Sequence, residues 1–253
     1  MQSLSVIIPC YNEEENIKRG VLSEVEKYLS AQKYKWEVII CNDKSSDNSL
    51  SLALAFAQTH PNFTVLDLLK GGKAGAIWGG IQQAQYDIVL LTDMDQSTPI
   101  HELSKLLPYF EQSYDVVIGS RGHRREGNSI LRKLGANVFR HLRNIFLKTN
   151  IYDTQCGFKA MRTNLAKKVF PKLAVIKNIQ NQSVWRVTAF DIELLLISQK
   201  LEYKIKEVNV DWRNEDTSIT KGDPNIRYIN ESKEMVQEVL RIFLNKLKGN
   251  YEK

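Results

Sequence analysis

Four short apolar runs, each cut off by a polar turn, constrain this chain more than anything else in it. They are Leu4-Ser5-Val6-Ile7-Ile8, Trp36-Glu37-Val38-Ile39-Ile40-Cys41, Ile88-Val89-Leu90-Leu91 and Asp115-Val116-Val117-Ile118-Gly119. Runs this short, with little polar alternation, predict strands buried on both faces of a sheet. Phe63-Thr64-Val65-Leu66 adds a shorter strand. Helical spacing fills the gaps. Ile17, Val21, Leu22, Val25 and Leu29 predict one continuous helix after the first strand, with Asn12 as its N-cap. Others carry Leu52, Leu54 and Phe56, run through Gln83, or start at Ser97-Thr98-Pro99 and bury Leu103, Leu106, Leu107 and Phe110. Strands alternating with helices predict an α/β fold with a doubly wound, mostly parallel sheet flanked by helices. At 253 residues and 43% hydrophobic content the chain can build this as one domain, and no linker or repeat divides it.

In such a sheet, polar chemistry collects where the strands end, because ligands bind beyond their carboxyl ends. The buried run Ile88–Leu91 leads straight into Asp93-Met94-Asp95. Two carboxylates held close repel unless a cation separates them, and a hard divalent ion suits oxygen ligands. The pair therefore predicts a site for Mg²⁺ or Mn²⁺; a solvated acidic loop is the bland alternative. Asp43, just past the second strand, can accept the N3–H of a uracil, with capping of the next helix as the bland alternative; Asp47 can simply cap that helix. Lys70-Gly71-Gly72-Lys73-Ala74-Gly75 opens a helix with small residues and lysines, a loop suited to an anion, though it lacks the Walker pattern. Arg121 emerges from the fifth strand toward the same crevice.

The second half is less regular. From Arg121 to Lys148 eight basic residues face the single acid Glu126, interleaved with Ile130, Leu131, Leu134, Val138 and other apolar residues. This amphipathic basic helix reads equally as one lying on an anionic membrane surface or as one packed on the sheet with a solvated basic face. No aromatic stacking platform or nucleic-acid motif accompanies it, so no nucleic-acid partner is expected. A helix through Val184–Leu195 and a strand over Ile205–Trp212 follow. Arg213–Asn225 reads as a loop. The last helix runs from about Asn230 to Leu247; its apolar face, Met235, Val236, Val239, Leu240, Phe243 and Leu247, is expected to pack on the core. The net charge of +6 agrees with anionic partners. The three cysteines, Cys10, Cys41 and Cys156, suggest neither a disulfide framework nor a zinc site, and a reducing compartment is expected. The histidines are scattered. No leader is expected, since a strand begins almost at once, and no apolar run reaches the ~18 residues of a membrane span.

Together these residues resemble the family 2 glycosyltransferases of GT-A fold. The shared segments are Val6-Ile7-Ile8-Pro9 with Tyr11-Asn12-Glu13, Asn42-Asp43 with Ser45 and Asp47, the glycine-lysine loop, Asp93-Met94-Asp95 and Gly119-Ser120-Arg121. Asp153-Thr154-Gln155-Cys156-Gly157-Phe158-Lys159, Phe190-Asp191-Ile192-Glu193-Leu194-Leu195 and Glu207-Val208-Asn209-Val210 with Trp212 are similar to the narrower group of dolichyl-phosphate β-glucosyltransferases and polyprenyl-phosphate relatives. The resemblance implies a GT-A domain over residues 1–253, with a nucleotide-sugar part at 4–120, an acceptor part at 121–247 and C-terminal amphipathic helices. It implies inverting, metal-dependent transfer of glucose from UDP-glucose to a dolichyl or polyprenyl phosphate. GDP-mannose or UDP-N-acetylhexosamine as donor, another acceptor, or an inactive membrane-binding module are the alternatives. Pro9, Tyr11, Glu13, Asp43, Lys73 and Asp93 would bind the nucleotide sugar. Asp93 and Asp95 would hold the metal, Arg121 and Arg132 the acceptor phosphate, and Asp191 would make acceptor or sugar contacts. Two departures stand out. Asn42 occupies the place of the first acid in the usual aspartate pair. The membrane-spanning N-terminal anchor of eukaryotic relatives has no counterpart here, so a cytoplasmic enzyme peripheral on the membrane is expected.

Overall fold

A computed structural model describes residues 3–69, 71–122, 144, 151–177, 189–213 and 224–251, the side chains of 224–233 excepted. Seven strands among these residues form a single sheet: β1 (Leu4–Cys10), β2 (Trp36–Asn42), β3 (Phe63–Asp67), β4 (Ile88–Leu91), β5 (Val116–Ser120), β6 (Lys159–Arg162) and β7 (Ile205–Asn209). Their order is β3-β2-β1-β4-β6-β5-β7. β1 lies between β2 and β4, with Val6 level with Val38 and with Leu90, and all neighbours in this half are parallel. β6 alone runs backwards, antiparallel to β4 and β5, while β7 returns parallel to β5. The mostly parallel sheet is thus present. The reversed strand also places its first residue, Lys159, beside Leu91 and Ile118 near the carboxyl ends of the others.

The apolar runs form strands because both faces are covered. Val6, Ile8, Val38, Ile40, Leu90 and Val117 pack into one core, and Ile7, Ile39, Cys41, Val89, Leu91 and Ile118 into the other. Burying each large side chain is worth roughly 1.5–3 kcal/mol. The first core is closed by α2 (Val21–Ser30) and α5 (Leu103–Leu106), the second by α4 (Gly72–Gln83), α7 (Thr163–Val169), α9 (Phe190–Lys200) and α10 (Pro224–Leu247). The shorter helices are α1 (Glu14–Lys18), α3 (Ser49–Thr59), α6 (Pro108–Glu111) and α8 (Ala174–Lys177).

Several sequence expectations are corrected. The first helix is two, because Gly20 takes φ +93 between α1 and α2, a conformation open to glycine. Asn12 does not cap it; its own φ is +56, and its Oδ1 accepts the Ser46 amide at 2.8 Å. The helix after Pro99 is a 3₁₀ turn (Ile100–Glu102) followed by α5 and α6, with Pro108 opening the last piece. α9 starts at Phe190; Val184–Thr188 lie outside the described residues. The last helix begins earlier than expected, and its apolar residues divide between two faces. Val239 and Ile242 are buried, whereas Val236, Leu240, Leu244 and Leu247 are 48%, 47%, 52% and 68% exposed.

Candidate active site

The carboxyl ends of β1, β2, β4 and β5, with the start of β6, converge on one rim. At β1, Pro9 is level with Cys41 of β2, and Tyr11 is exposed. The turn after it is fastened to the turn after β2. The Asn12 amide donates to Ser45 Oγ at 3.1 Å, that of Glu13 to Ser49 Oγ at 2.7 Å, and that of Glu14 to Asp47 Oδ2 at 3.3 Å. Glu13 also accepts from Asn16 Nδ2 at 2.6 Å. Asp47 Oδ1 accepts the Ser49 amide at 3.0 Å, but the N-cap of α3 is Asn48, which makes no side-chain cap hydrogen bond. Asn42, the departure from the family pattern, has a physical reason. It sits level with Asp67 of β3 and donates to Asp67 Oδ1 at 2.7 Å; an acid there would face a like charge.

Asp43 is buried and does not cap α3. Its Oδ1 accepts the Gly71 amide at 2.7 Å, so it holds the glycine-lysine loop against β2. Gly72 in that loop has φ +68; Lys70 lies outside the described residues. Lys73, at the start of α4, reaches Asp93 Oδ1 at 2.5 Å, with side chains 44% and 37% exposed, so the pair is open to a ligand. Asp93 rests against Gly157, where an added Cβ would lie 2.3 Å from Asp93 Oδ2. Met94 is buried between the two acids. Asp95 Oδ1 accepts the Ser97 amide at 2.8 Å, and its carbonyl accepts Arg19 Nη2 at 2.7 Å. Gln96, at φ +50, clasps the loop through Thr92 Oγ1 and the Asp93 carbonyl.

Across the crevice, Arg121 gives Nε and Nη2 to Asp153 at 2.7 and 2.8 Å and lies 5.9 Å from the Trp212 ring centre. Asp153 is anchored in turn, since the amides of Tyr152 and Asp153 donate to Glu207 of β7 at 2.8 and 2.7 Å. Asp191, near the start of α9, pairs with Lys159 at 2.5 Å. Arg132 and most of the basic segment lie outside the described residues.

The electrostatics tie these residues together. Partial loss of water works against the charge on Lys73, but Asp93 and then Asp191 raise its pKa above the usual lysine value. It likewise opposes a charged Asp93, yet Lys73, Lys159 and Arg121 hold its pKa below the ordinary carboxylate value. Asp95 moves the other way, raised by burial and by Asp93 despite the Ser97 amide. Asp153, Gly157, Lys159 and Glu207 are site residues to which sequence reasoning assigned no role. Lys159 left one signal: a lysine set between the apolar Phe158 and Ala160 at a strand start.

Among the described residues no group of three or more acidic, thiol or imidazole side chains could cage a metal. Asp93 and Asp95 could hold Mg²⁺ or Mn²⁺, ions commonly bound by one or two carboxylates and completed by substrate phosphates.

A mixed sheet of this order flanked by helices is the GT-A fold, and the solved structures it resembles share that fold. Glucosyl-3-phosphoglycerate synthase from Mycobacterium tuberculosis, crystallised with Mn²⁺, UDP-glucose and glycerol 3-phosphate, superposes with TM-score 0.59 at 19% identity over 95% of this chain and 80% of that one. The mannosyltransferase PcManGT from Pyrobaculum calidifontis, with GDP-Man and Mn²⁺, gives 0.60 at 18% identity over 93% and 62%. In sequence, the model of Glycosyl transferase family 2 matches residues 5–170. Dolichyl-phosphate β-glucosyltransferases from Dictyostelium discoideum and Drosophila melanogaster are 30% and 32% identical, over 97% and 85% of this chain and 75% and 68% of theirs. An undecaprenyl-phosphate 4-deoxy-4-formamido-L-arabinose transferase from Pectobacterium carotovorum is 33% identical over 65% of this chain and 50% of its own. The chain belongs to glycosyltransferase family 2 and is a glycosyltransferase.

Proposed function

We propose that the protein transfers glucose from UDP-glucose to a dolichyl or polyprenyl phosphate, with inversion, at the cytoplasmic face of a membrane to which it binds peripherally. The observation that carries this reading is the row of paired charges along one rim, Lys73 with Asp93, Lys159 with Asp191 and Arg121 with Asp153. A site of this kind can hold two anionic partners near each other, a diphosphate and an acceptor phosphate. Tyr11, Glu13, Pro9 and Asp43 surround the place for the nucleoside, with Asp43 keeping the glycine loop closed beneath it.

Asp93 and Asp95 would hold Mg²⁺ or Mn²⁺, which would supply positive charge to the departing diphosphate. Lys73 adds to that charge by turning from Asp93 to the diphosphate. Asp153 takes one edge of the Arg121 guanidinium and fixes its plane, so that another N–H can meet an acceptor oxygen. The attacking phosphate monoester has a second pKa of about 6, so it is mostly ionised at neutral pH and needs no general base.

Two observations support membrane docking. Val236, Leu240, Leu244 and Leu247 leave an apolar stripe exposed on α10, and the segment 121–148 is strongly basic. Among the described residues no helix is long and apolar enough to cross a membrane.

The test is transfer of labelled sugar from UDP-glucose, UDP-N-acetylglucosamine and GDP-mannose to polyprenyl phosphate. UDP-glucose should give lipid-linked product with inverted configuration. Asp95→Ala should lower turnover at least ~100-fold at unchanged thermal stability. Absence of lipid-linked product from every donor would remove the reading.

A further inference from the structure

Lys159 is fully buried, although it is a lysine, on β6 between β4 and β5. A buried ammonium needs partners for its three donors. Two of them are the Cys156 carbonyl and Asp191 Oδ1, the latter at 2.5 Å. Asp191 is the second residue of α9, where a carboxylate can turn to the unpaired amides at the positive end of its own helix. Here it reaches out to β6 instead, and its side chain stays 19% exposed. Lys159 is level with Leu91 and with Ile118, at the strand ends that lead to Asp93 and to Arg121, and Asp93 is the partner of Lys73. Asp191 therefore stands near the cation assigned to the leaving diphosphate and near the one assigned to the attacking phosphate. In a direct displacement the sugar must lie between those two groups.

We propose that Lys159 is a positioning residue that holds the Asp191 carboxylate in place to accept a hydrogen bond from a hydroxyl of the transferred sugar. The proposal rests on the transferase reading above. The strand supplies the precision. Lys159 is pinned between Leu91 and Ile118 in the sheet, whereas α9 approaches from another layer. The ion pair sets the helix end against the sheet edge, and so sets where the carboxylate points. A helix-bound Asp191 turned to its own amides would be withdrawn from the crevice.

The experiment uses the full chain with Asp191→Asn, Lys159→Met, Lys159→Arg and the Lys159→Met/Asp191→Asn double variant. Each is assayed with the donor that wild type uses and with its 2-, 3-, 4- and 6-deoxy analogues. Wild type should be slowed at least ~10-fold by loss of one particular hydroxyl. That penalty should vanish in Asp191→Asn and equally in Lys159→Met. The two substitutions should each lower kcat about 100-fold, combine without multiplying, and leave UDP affinity within about threefold of wild type. Lys159→Arg, which keeps the charge, should recover part of the rate. If Lys159→Met does not fold, the double variant removes both charges together, and Asp191→Asn and Lys159→Arg still report the hydroxyl penalty. A penalty retained in Asp191→Asn, or losses in kcat that multiply in the double variant, would overturn the proposal while leaving the transferase reading intact. A wild type inactive with every donor would bring down both.

Discussion

Gly157→Ala puts the acid pair under a direct geometric test. An ideal Cβ there would lie 2.3 Å from Asp93 Oδ2 and 2.9 Å from its Cγ. Ordinary carbon–oxygen contact starts at about 3.3–3.6 Å, so one partner must retreat by about 1 Å. Gly157 sits two residues before β6 and Asp93 two residues after β4, two strands already in register. The side chain of Asp93, held by Lys73 at 2.5 Å, is the softer partner and should be the one displaced. Overpacking of this size costs about 1–3 kcal/mol. A catalytic group moved by about 1 Å can cost about 100-fold in rate. The expected result is a stable protein with kcat down about 100-fold and a weaker response to Mn²⁺ in the presence of UDP. Both are read by lipid-linked product formation and by Mn²⁺ titration calorimetry. Gly80→Ala is the control: its Cβ would strike Ile7 Cγ2 at 2.6 Å and Cys41 Sγ at 2.7 Å in the core, so it should lose stability and keep its rate per folded molecule. Turnover of Gly157→Ala within about threefold of wild type, with Mn²⁺ dependence unmoved, would refute the reasoning.

Three further outcomes are expected. Arg241→Met should destabilise the fold by about 2–3 kcal/mol in urea titration, because Glu193, fully buried, accepts from Arg241, Tyr251 and the Ala174 amide. That is below the ~3–5 kcal/mol of a fully buried pair, since the Arg241 side chain is 31% exposed; adding Glu193→Gln should return part of the loss. Burial pushes the Cys10 and Cys41 thiols up to about 12 and raises Cys156 as well. All three are free and buried, so an aromatic disulfide reagent at pH 8 should label none in the folded protein and all on unfolding; one fast-reacting thiol would contradict this. Leu240→Glu with Leu244→Glu should weaken sedimentation with anionic lipid vesicles by about tenfold or more while sparing turnover on a short, water-soluble acceptor. Undiminished vesicle binding would remove α10 from the membrane reading.

Sequence alone determined the strands and the chemistry at their ends. Val6-Ile7-Ile8, Val38-Ile39-Ile40, Ile88–Leu91 and Val116-Val117-Ile118 are apolar on both faces, so they had to be buried strands. Asp43, Asp93, Asp95 and Arg121 could then only emerge at the rim. The helix break at Gly20 escaped because apolar spacing continues across it, although the backbone does not. Likewise, periodicity located an apolar face on α10 but could not say what covers it; the core takes Val239 and Ile242 and leaves Leu240 and Leu244 outside.

Tertiary structure decided which charge meets which. Lys159 and Asp191 are 32 residues apart, as are Arg121 and Asp153, and Glu207 secures Asp153 from 54 residues away. Lys159 reaches the rim because β6 runs antiparallel between β4 and β5, a reversal that nothing in its few residues announces, and Glu207 reaches it because β7 lies beside β5. Burial along a strand is a local property, fixed by the side chains themselves. Pairing between charges depends on where distant segments come to rest, and only the packed sheet sets that.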